Sequence, residues 1–282
     1  MNRSLPLLLA LALATATPVL HAQASAIPSA APESASLSPE QRGRQLLDQM
    51  VNELGGTVWV HRKDMTVEGR TAAFFRGEPN GSIVDYHLMH RFAASGQPEA
   101  ERLGFLSDRS MILPGKKIDI VQLYTADAGY ELTFKGRTTL PADQTEDYFR
   151  RRKHSIEAVI DTWLKQPGVM VVYEGTSMVE RHLADQVTVL SANNDAVTLD
   201  LDASSHLPLR RSFRWRNQQF KDYDEDVETY DDYHVIQGLP TPLRISRYRN
   251  GDLVSQRYFS RVEYNTGLSP DLFDPDKLPK KK

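Results

Sequence analysis

Cysteine is absent from all 282 residues of the chain. The protein therefore has no disulfide, no thiol nucleophile, no thiolate metal site and no cysteine that could carry a lipid anchor. An excess of charge of one sign is also missing, because 34 basic residues face 37 acidic ones and the formal net charge is −3. Such a balance creates no overall field that would collect nucleic acid or an anionic membrane.

Long apolar runs are missing as well, since none reaches the ~20 residues that a membrane-spanning helix needs. The most apolar stretch lies near the start, where Leu7–Ala16 follows Arg3 and precedes Ala22-Gln23-Ala24. A positive start, a short apolar core and an A-x-A site are typical of a cleaved export signal. We therefore predict a signal peptide at residues 1–24, a flexible Ser/Ala/Pro-rich leader at 25–36 and a periplasmic mature chain that does not span the membrane.

The sequence also lacks the motifs of common catalytic and cofactor sites: a Gly-x-Ser-x-Gly elbow, a Gly-x-Gly-x-x-Gly turn and a phosphate loop. His87 and His90 suggest a metal, but residues i and i+3 of a strand point to opposite faces. The acidic run Asp222–Asp226 lacks the glycine and the terminal glutamate of a calcium loop, and is interpreted as a solvated loop and sheet edge. We expect no enzyme activity, no metal and no cofactor.

Two amphipathic helices are predicted. Ser38-Pro39-Glu40-Gln41 has the pattern of a capping box and begins a helix that ends at Gly55-Gly56. Asp147–Lys165 places apolar residues on one face and forms the second helix. The second helix carries the basic run Arg150, Arg151, Arg152 and Lys153, which is either a solvated face or a surface that docks on lipid headgroups or an acidic partner.

Short alternating runs predict strands between and after the helices. Before the second helix they lie at Thr57–Arg62, Arg70–Arg76, Ser82–Phe92, Leu103–Leu113, Ile118–Thr125 and Tyr130–Lys135. After it they continue from Val169 to Trp215, where Leu199 and Leu201 alternate with Asp200 and Asp202 and so predict one dry and one wet face. The short connections leave no room for crossover helices, so neighbouring strands are expected to be antiparallel.

The chain closes in a meander between Tyr230 and Tyr264. Asn250-Gly251 predicts a two-residue hairpin turn, because both central positions of a type I′ turn need a positive φ. The two prolines of Gly238–Pro242 remove ladder donors, so this segment is predicted at a corner or a sheet edge. The fold class expected is mainly β (α+β): one large curved antiparallel sheet of about eleven strands, an incomplete barrel covered by the two amphipathic helices.

Four pieces of sequence resemble a known family. They are Gly55-Gly56 before a Trp/Val segment, Leu207-Pro208-Leu209-Arg210, Tyr233 with Gly238–Pro242, and Asn265 followed by Leu272-Phe273-Asp274-Pro275. In order and spacing these pieces resemble the outer-membrane lipoprotein-sorting proteins, the LolA-like carriers. The resemblance covers most of residues 40–276 and implies a half-barrel domain at 37–276, with 277–282 as a basic tail. It also implies a periplasmic apolar cavity, closed by helices, that shields acyl chains.

Candidate site residues follow from the sheet and from this resemblance. The carriers latch their helical lid with an arginine of the first strand, a role that Arg62 or Arg70 would take here. Aromatic and aliphatic residues of the dry face are candidates for the cavity lining, although core packing explains them equally well. These are Trp59, Phe74, Phe105, Val171, Leu199, Phe213, Trp215 and Phe259.

The function expected is that of a periplasmic lipid- or lipoprotein-binding carrier or sorting protein. Its partners would be lipid or lipoprotein acyl chains and envelope membrane proteins, with no nucleic acid. The alternative is a periplasmic interaction or sensor module with a packed core and no lipid cargo.

Overall fold

The computed structural model describes residues 37–278 apart from 82, 109–115 and 218. The predicted signal peptide and leader lie outside the described residues, as do the last four residues of the predicted basic tail. None of the described helices combines the length and the hydropathy needed to cross a bilayer.

Four α-helices and fourteen strands make up the described fold. The helices are α1 (Pro39–Glu53), α2 (Thr57–Val60), α3 (Ala142–Lys153) and α4 (Ile156–Asp161), and short 3-10 turns lie at Ala93–Ser95, Trp163–Lys165 and Pro270–Phe273. The strands are β1 (Asp64–Phe75), β2 (Glu78–Pro79), β3 (Val84–Arg91), β4 (Ala100–Asp108), β5 (Lys116–Tyr124), β6 (Gly129–Thr133), β7 (Gly136–Thr139), β8 (Met170–Val179), β9 (His182–Leu190), β10 (Ala196–Asp202), β11 (Pro208–Arg216), β12 (Tyr223–Ile236), β13 (Leu239–Arg249) and β14 (Asp252–Tyr264).

All strands belong to one antiparallel sheet with the order β7-β6-β5-β4-β3-β1-β14-β13-β12-β11-β10-β9-β8, and β2 pairs with β1. The chain begins in the middle of the sheet and proceeds to the edge at β7. Helices α3 and α4 then connect this edge to the opposite one at β8, and the returning strands end when β14 pairs with β1. The prediction of one open antiparallel sheet with helices is confirmed. The strand count is higher than expected because short strands such as β2 and β7 leave little pattern in the sequence.

Helix α1 begins as its sequence predicts. The Gln41 amide donates to Ser38 Oγ at 3.1 Å, and the Ser38 amide donates to Gln41 Oε1 at 2.9 Å. The helix lies directly on β8: a Cβ atom at Gly43 would be 2.9 Å from Val171 Cγ1. The α1 side chains of Leu46, Leu47 and Met50 are buried, so α1 covers the β8 end of the sheet.

Two predictions of secondary structure were wrong. Residues 57–60 of the predicted strand Thr57–Arg62 form the one-turn helix α2, in which the His61 amide donates to the Thr57 carbonyl at 3.0 Å. The predicted helix Asp147–Lys165 ends at Lys153 and restarts, because the Ser155 side chain accepts from the Ala158 amide at 3.1 Å and caps α4. His154 at the break is buried, stacks on Phe213 at 4.1 Å and bonds Asp195 at 2.8 Å.

The expected wet face of β10 is also wrong at Asp200, which is 0% exposed. Its carboxylate accepts from Ser177 Oγ at 2.7 Å, Gln186 Nε2 at 3.0 Å and Arg210 Nε at 2.7 Å. Gln186 and Arg210 are the residues directly opposite Asp200 on β9 and β11, so side chains of the same face cover it. Neighbouring polar side chains therefore satisfy a carboxylate that alternation alone would place in water.

The closing meander has the predicted turn, with positive φ of 51° at Asn250 and 86° at Gly251. Pro240 and Pro242 lie inside β13 and not at a separate corner. They pair with β12, whereas the pairing of β13 with β14 begins at Arg244. The prolines thus occupy a part of β13 that has a strand partner on one side, which is compatible with their missing amide donors.

Candidate functional site

A cavity of about 330 Å³ lies between the sheet and the helices. This volume is at the low end of the ~300–1,000 Å³ range of ligand pockets. Trp59 of α2, three residues of α3 and two of α4 form one side, and residues of β1, β3, β4 and β11–β14 form the other. Its apolar wall includes Leu54, Trp59, Leu88, Ile156, Ile245 and Phe259.

Charged side chains form the rest of the lining. Six arginines and four glutamates line the cavity together with His90. We call those on the strands the charged band: Glu101 of β4 and His90 of β3 on one side of β1, and Arg257 of β14, Arg247 of β13, Glu228 of β12 and Arg211 of β11 on the other. The cavity is therefore amphipathic, whereas the sequence predicted an apolar one.

Arg211 and Asp226 are the most deeply buried charges near the cavity. Arg211 is 1% exposed and Asp226 is 0% exposed. Arg211 Nη2 lies 3.3 Å from Asp226 Oδ1 and 3.0 Å from Glu228 Oε2, and Arg247 Nε donates to Asp226 Oδ2 at 2.8 Å. Burial alone would raise the pKa of Glu228, but the charges of Arg211 and Arg151 reverse this effect and lower the pKa to about 2. The cluster thus keeps its charges in the interior by mutual pairing.

Helix α3 is attached to the sheet through Asp147. This carboxylate accepts from Arg247 Nη2 at 2.9 Å and from Arg249 of the same strand. Within α3 it also accepts from Arg151 Nε at 3.3 Å. Burial would raise the pKa of Asp147, and the surrounding arginines lower it instead. One carboxylate therefore holds the helix over strand β13.

His90 is bound between two carboxylates at the other end of the charged band. Its Nε2 lies 3.1 Å from Glu99 Oε1, and its Nδ1 lies 3.4 Å from Glu101 Oε2. Arg152 of α3 also pairs with Glu99, at 3.2 Å. Burial would lower the pKa of His90, but the hydrogen bonds to the two glutamates raise it to about 9. The imidazole is thus a cation at neutral pH.

This pairing predicts a pH dependence of stability. The pKa of His90 rises from an ordinary value of about 6.5 to about 9 in the folded protein. The stabilisation that protonated His90 gives the folded state is therefore complete below pH ~6.5 and is lost as the pH rises through ~9. We expect the free energy of unfolding of the wild type to fall over this window by at most about 3 kcal/mol more than that of His90→Gln. Urea denaturation at each pH measures both.

The matched control is His234→Gln, which removes an exposed histidine of β12. This variant should retain the pH dependence of the wild type. If the free energy of unfolding changed with pH equally in the wild type and in His90→Gln, His90 would not be the source of the pH dependence.

The two latch candidates lie in different surroundings. Arg62 is buried with its guanidinium 4.0 Å from the Trp59 ring and 4.2 Å from the Phe92 ring. Its Nη2 donates to Glu157 Oε1 of α4 at 2.7 Å and its Nη1 to the Trp59 carbonyl at 2.5 Å. Arg70 is exposed and pairs with Asp85 of β3 at 3.1 Å. Arg62 is thus the candidate that contacts a helix, and its role as a latch remains a prediction.

The predicted lining residues separate into two groups. Trp59 and Phe259 line the cavity. Val171, Leu199 and Phe213 are buried in the main core, and Phe105 and Trp215 pack against it. Phe74 is half-buried and pairs with Pro79 near the end of β1. Helix α1 lies on Val171 and fills the space above that part of the sheet.

The basic run of α3 is largely engaged within the domain. Arg150 lies 4.5 Å from the Trp215 ring, and Arg151 lines the cavity. Arg152 pairs with Glu99 and donates to the Thr125 carbonyl at 3.0 Å. Lys153 pairs with Asp195 at 2.5 Å and is 62% exposed. Docking through these residues remains a prediction, and Lys153 has the most exposed side chain of the four.

The charged band and the buried carboxylate of Asp226 beside it were not predicted from the sequence. Asp226 belongs to the run interpreted as a solvated edge, but β12 is an inner strand and buries this residue. Two signals were available: Arg211 alternates in phase with Phe213 and Trp215, and Arg257 alternates in phase with Phe259. Alternation therefore places both arginines on an otherwise apolar face.

No protein-family model and no curated protein matches the sequence. Among solved structures, the chain is similar to a DUF1329 family protein from Desulfovibrio piger, with a TM-score of 0.56, 13% identity and coverage of 86% of this chain and 100% of that chain. It is also similar to a putative outer membrane lipoprotein-sorting protein domain from Vibrio parahaemolyticus, with a TM-score of 0.51, 11% identity and coverage of 83% and 97%. The predicted resemblance to lipoprotein-sorting proteins is thereby confirmed as a likeness of fold.

Proposed function

We propose that this protein is a periplasmic binding protein that shields an acyl group of a lipid or lipoprotein between the helices and the sheet. Residues 1–24 would be its cleaved export signal, 25–36 its leader and 37–276 its binding domain, without catalytic activity. The observation that carries the proposal is the cavity of about 330 Å³ with an apolar wall. Burial of each CH₂ group contributes about 0.8 kcal/mol, so a short acyl segment supplies several kcal/mol without any catalytic group.

In this proposal a ligand enters when the helical side of the cavity moves away from the sheet. Two sets of ion pairs oppose that movement: Glu157 of α4 with Arg62, which lies between α2 and β1, and Asp147 of α3 with Arg247 and Arg249 of β13. Residues Ala142–Asp161 of α3 and α4 would therefore act as a lid. A ligand larger than one short chain would hold this lid open.

The direct experiment is native mass spectrometry of the mature protein purified from a periplasmic extract, followed by organic extraction. A retained acyl-bearing species supports the proposal and identifies the class of cargo. A protein that retains nothing and also fails to bind an added fluorescent fatty acid contradicts it.

A bulky residue inside the cavity should abolish this binding. Ile245 lines the cavity, so Ile245→Trp adds an indole where the chain would lie. We expect its affinity for a fluorescent fatty acid to fall at least about tenfold, because less apolar surface of the ligand can be buried. Fluorescence titration measures the dissociation constant.

The matched control is Ile83→Trp, at a position that is 63% exposed. This variant should bind as the wild type does. Equal affinity of Ile245→Trp and Ile83→Trp would place the acyl chain elsewhere.

The second candidate is an interaction or sensor module without lipid cargo. Its supporting observation is that six of the eight predicted lining residues do not line the cavity. Envelope proteins captured by a wild type that carries no lipid would favour this second function.

A further inference from the structure

Most charges that line the cavity are paired. Arg62 pairs with Glu157 at 2.7 Å, Arg151 with Asp147 at 3.3 Å and Arg152 with Glu99 at 3.2 Å. Arg211 pairs with Glu228 at 3.0 Å and Arg247 with Asp226 at 2.8 Å. Five of the six lining arginines therefore have a carboxylate partner.

Arg257 is the exception among the described residues. It lines the cavity, and the part of the chain that the structure describes offers it no hydrogen bond and no carboxylate within ion-pair distance. Burial alone would lower the pKa of Arg257, but Glu101 nearby reverses this effect and raises it. Glu101 is itself bonded to His90. A guanidinium with five N–H donors thus faces the cavity, and no described residue accepts from it.

A second observation comes from Arg211 on the same cavity. This side chain is 1% exposed, and its Nε and Nη1 atoms have no hydrogen-bond partner among the described residues. A buried donor without a partner is destabilising, and a charged one more so. Two arginines of the charged band therefore have donors that the described part of the chain does not satisfy.

We infer that Arg257 binds the head group of the ligand and that this ligand is a single-chain amphiphile with an anionic head, a carboxylate or a phosphate. The inference rests on the proposed function. The planar guanidinium matches both oxyanions through two parallel hydrogen bonds. Phe259 lies two residues along the same strand and lines the same cavity. One strand thus presents a site for the head group beside apolar surface for the chain.

The experiment compares laurate, dodecyl phosphate and dodecanol by calorimetric titration on the wild type and on Arg257→Gln. We expect the wild type to bind laurate or dodecyl phosphate at least about tenfold more tightly than dodecanol. Arg257→Gln should lose this preference: affinity for the anionic amphiphile falls about 10- to 100-fold, and affinity for dodecanol changes less than about threefold. Whichever of laurate and dodecyl phosphate binds more tightly identifies the head group.

The matched control is Arg214→Gln, which removes an arginine that is 68% exposed and pairs with Glu225 on the strand surface. It should retain the affinities of the wild type. Arg257→Lys keeps the charge but not the planar fork, and is expected to bind the anions with intermediate affinity. This variant also serves if Arg257→Gln folds poorly, and a preference for anions unchanged in Arg257→Lys would then overturn the inference.

Three other results would overturn it. The wild type could bind dodecanol as tightly as the anionic amphiphiles, or Arg257→Gln could keep the preference for anions. Inorganic phosphate could bind as tightly as dodecyl phosphate, which would make Arg257 a site for a free anion. In the first two cases the proposed function stands, because a chain still binds. If the wild type binds no amphiphile at all, the proposed function itself fails.

Discussion

Replacement of Asp226 by alanine is expected to lower the free energy of unfolding by about 3–5 kcal/mol. Asp226 is 0% exposed and is the shared partner of Arg211 and Arg247. Its removal leaves two cations in the interior with fewer partners, and an uncompensated buried charge is more costly than the loss of an exposed pair. Urea denaturation followed by circular dichroism measures the change.

The adjacent residue on the same strand supplies the control. Glu225 pairs with the exposed Arg214 at 2.9 Å, so Glu225→Ala should cost less than about 1 kcal/mol. Similar losses in Asp226→Ala and Glu225→Ala would show that burial of the Arg211–Asp226 pair does not govern the stability of this region.

Replacement of Arg62 by alanine should affect both stability and the exchange of bound lipid. The change removes the ion pair with Glu157 and the stacking on Trp59 and Phe92. We expect a loss of about 2–4 kcal/mol in the free energy of unfolding. The release of a fluorescent fatty acid should also become at least about tenfold faster, since α4 loses its ion pair with the segment between α2 and β1. Stopped-flow displacement measures the release rate.

Two further variants separate a latch from a purely structural residue. Arg70→Ala removes the other latch candidate, an exposed pair with Asp85, and should cost less than about 1 kcal/mol without changing the release rate. Glu157→Gln weakens the Arg62 contact from the helix side and should accelerate release with a smaller loss of stability. Lipid release that is equally fast in the wild type, Arg62→Ala and Glu157→Gln would contradict a latch at this position.

The local features of this protein could be predicted from its sequence. The capping box at Ser38 and Gln41 and the turn at Asn250 and Gly251 depend on the backbone preferences of two to four consecutive residues. The antiparallel order follows from connections too short for crossover helices. Errors arose where a short apolar segment fits both a helix and a strand, as at Thr57–Val60, and where Ser155 caps a new helix inside a helical pattern.

Only part of the candidate site could be predicted. Trp59, Phe259 and the buried Arg62 came from the sequence because each belongs to a local pattern or to the family resemblance. The partners of the charges did not: Arg62 meets Glu157 across 95 residues, and Arg247 meets Asp147 across 100 residues. The alternation within one strand does not indicate which distant residue a charged side chain will contact.

The sequence by itself determined the class of fold, the cap of α1 and the turn between β13 and β14, because these depend on local backbone energies and on alternation along each strand. The tertiary structure alone decided which side chains face the cavity. Strand register, with its shift between Glu68 and Gly69 where β1 pairs with β14, and the contact of α3 with β13 set that arrangement. They bring Arg211, Asp226, Glu228 and Arg247 together in the interior, where charges must be paired. Alternation places Arg211 and Arg257 on the apolar face, but the partners of the cavity charges were apparent only in three dimensions.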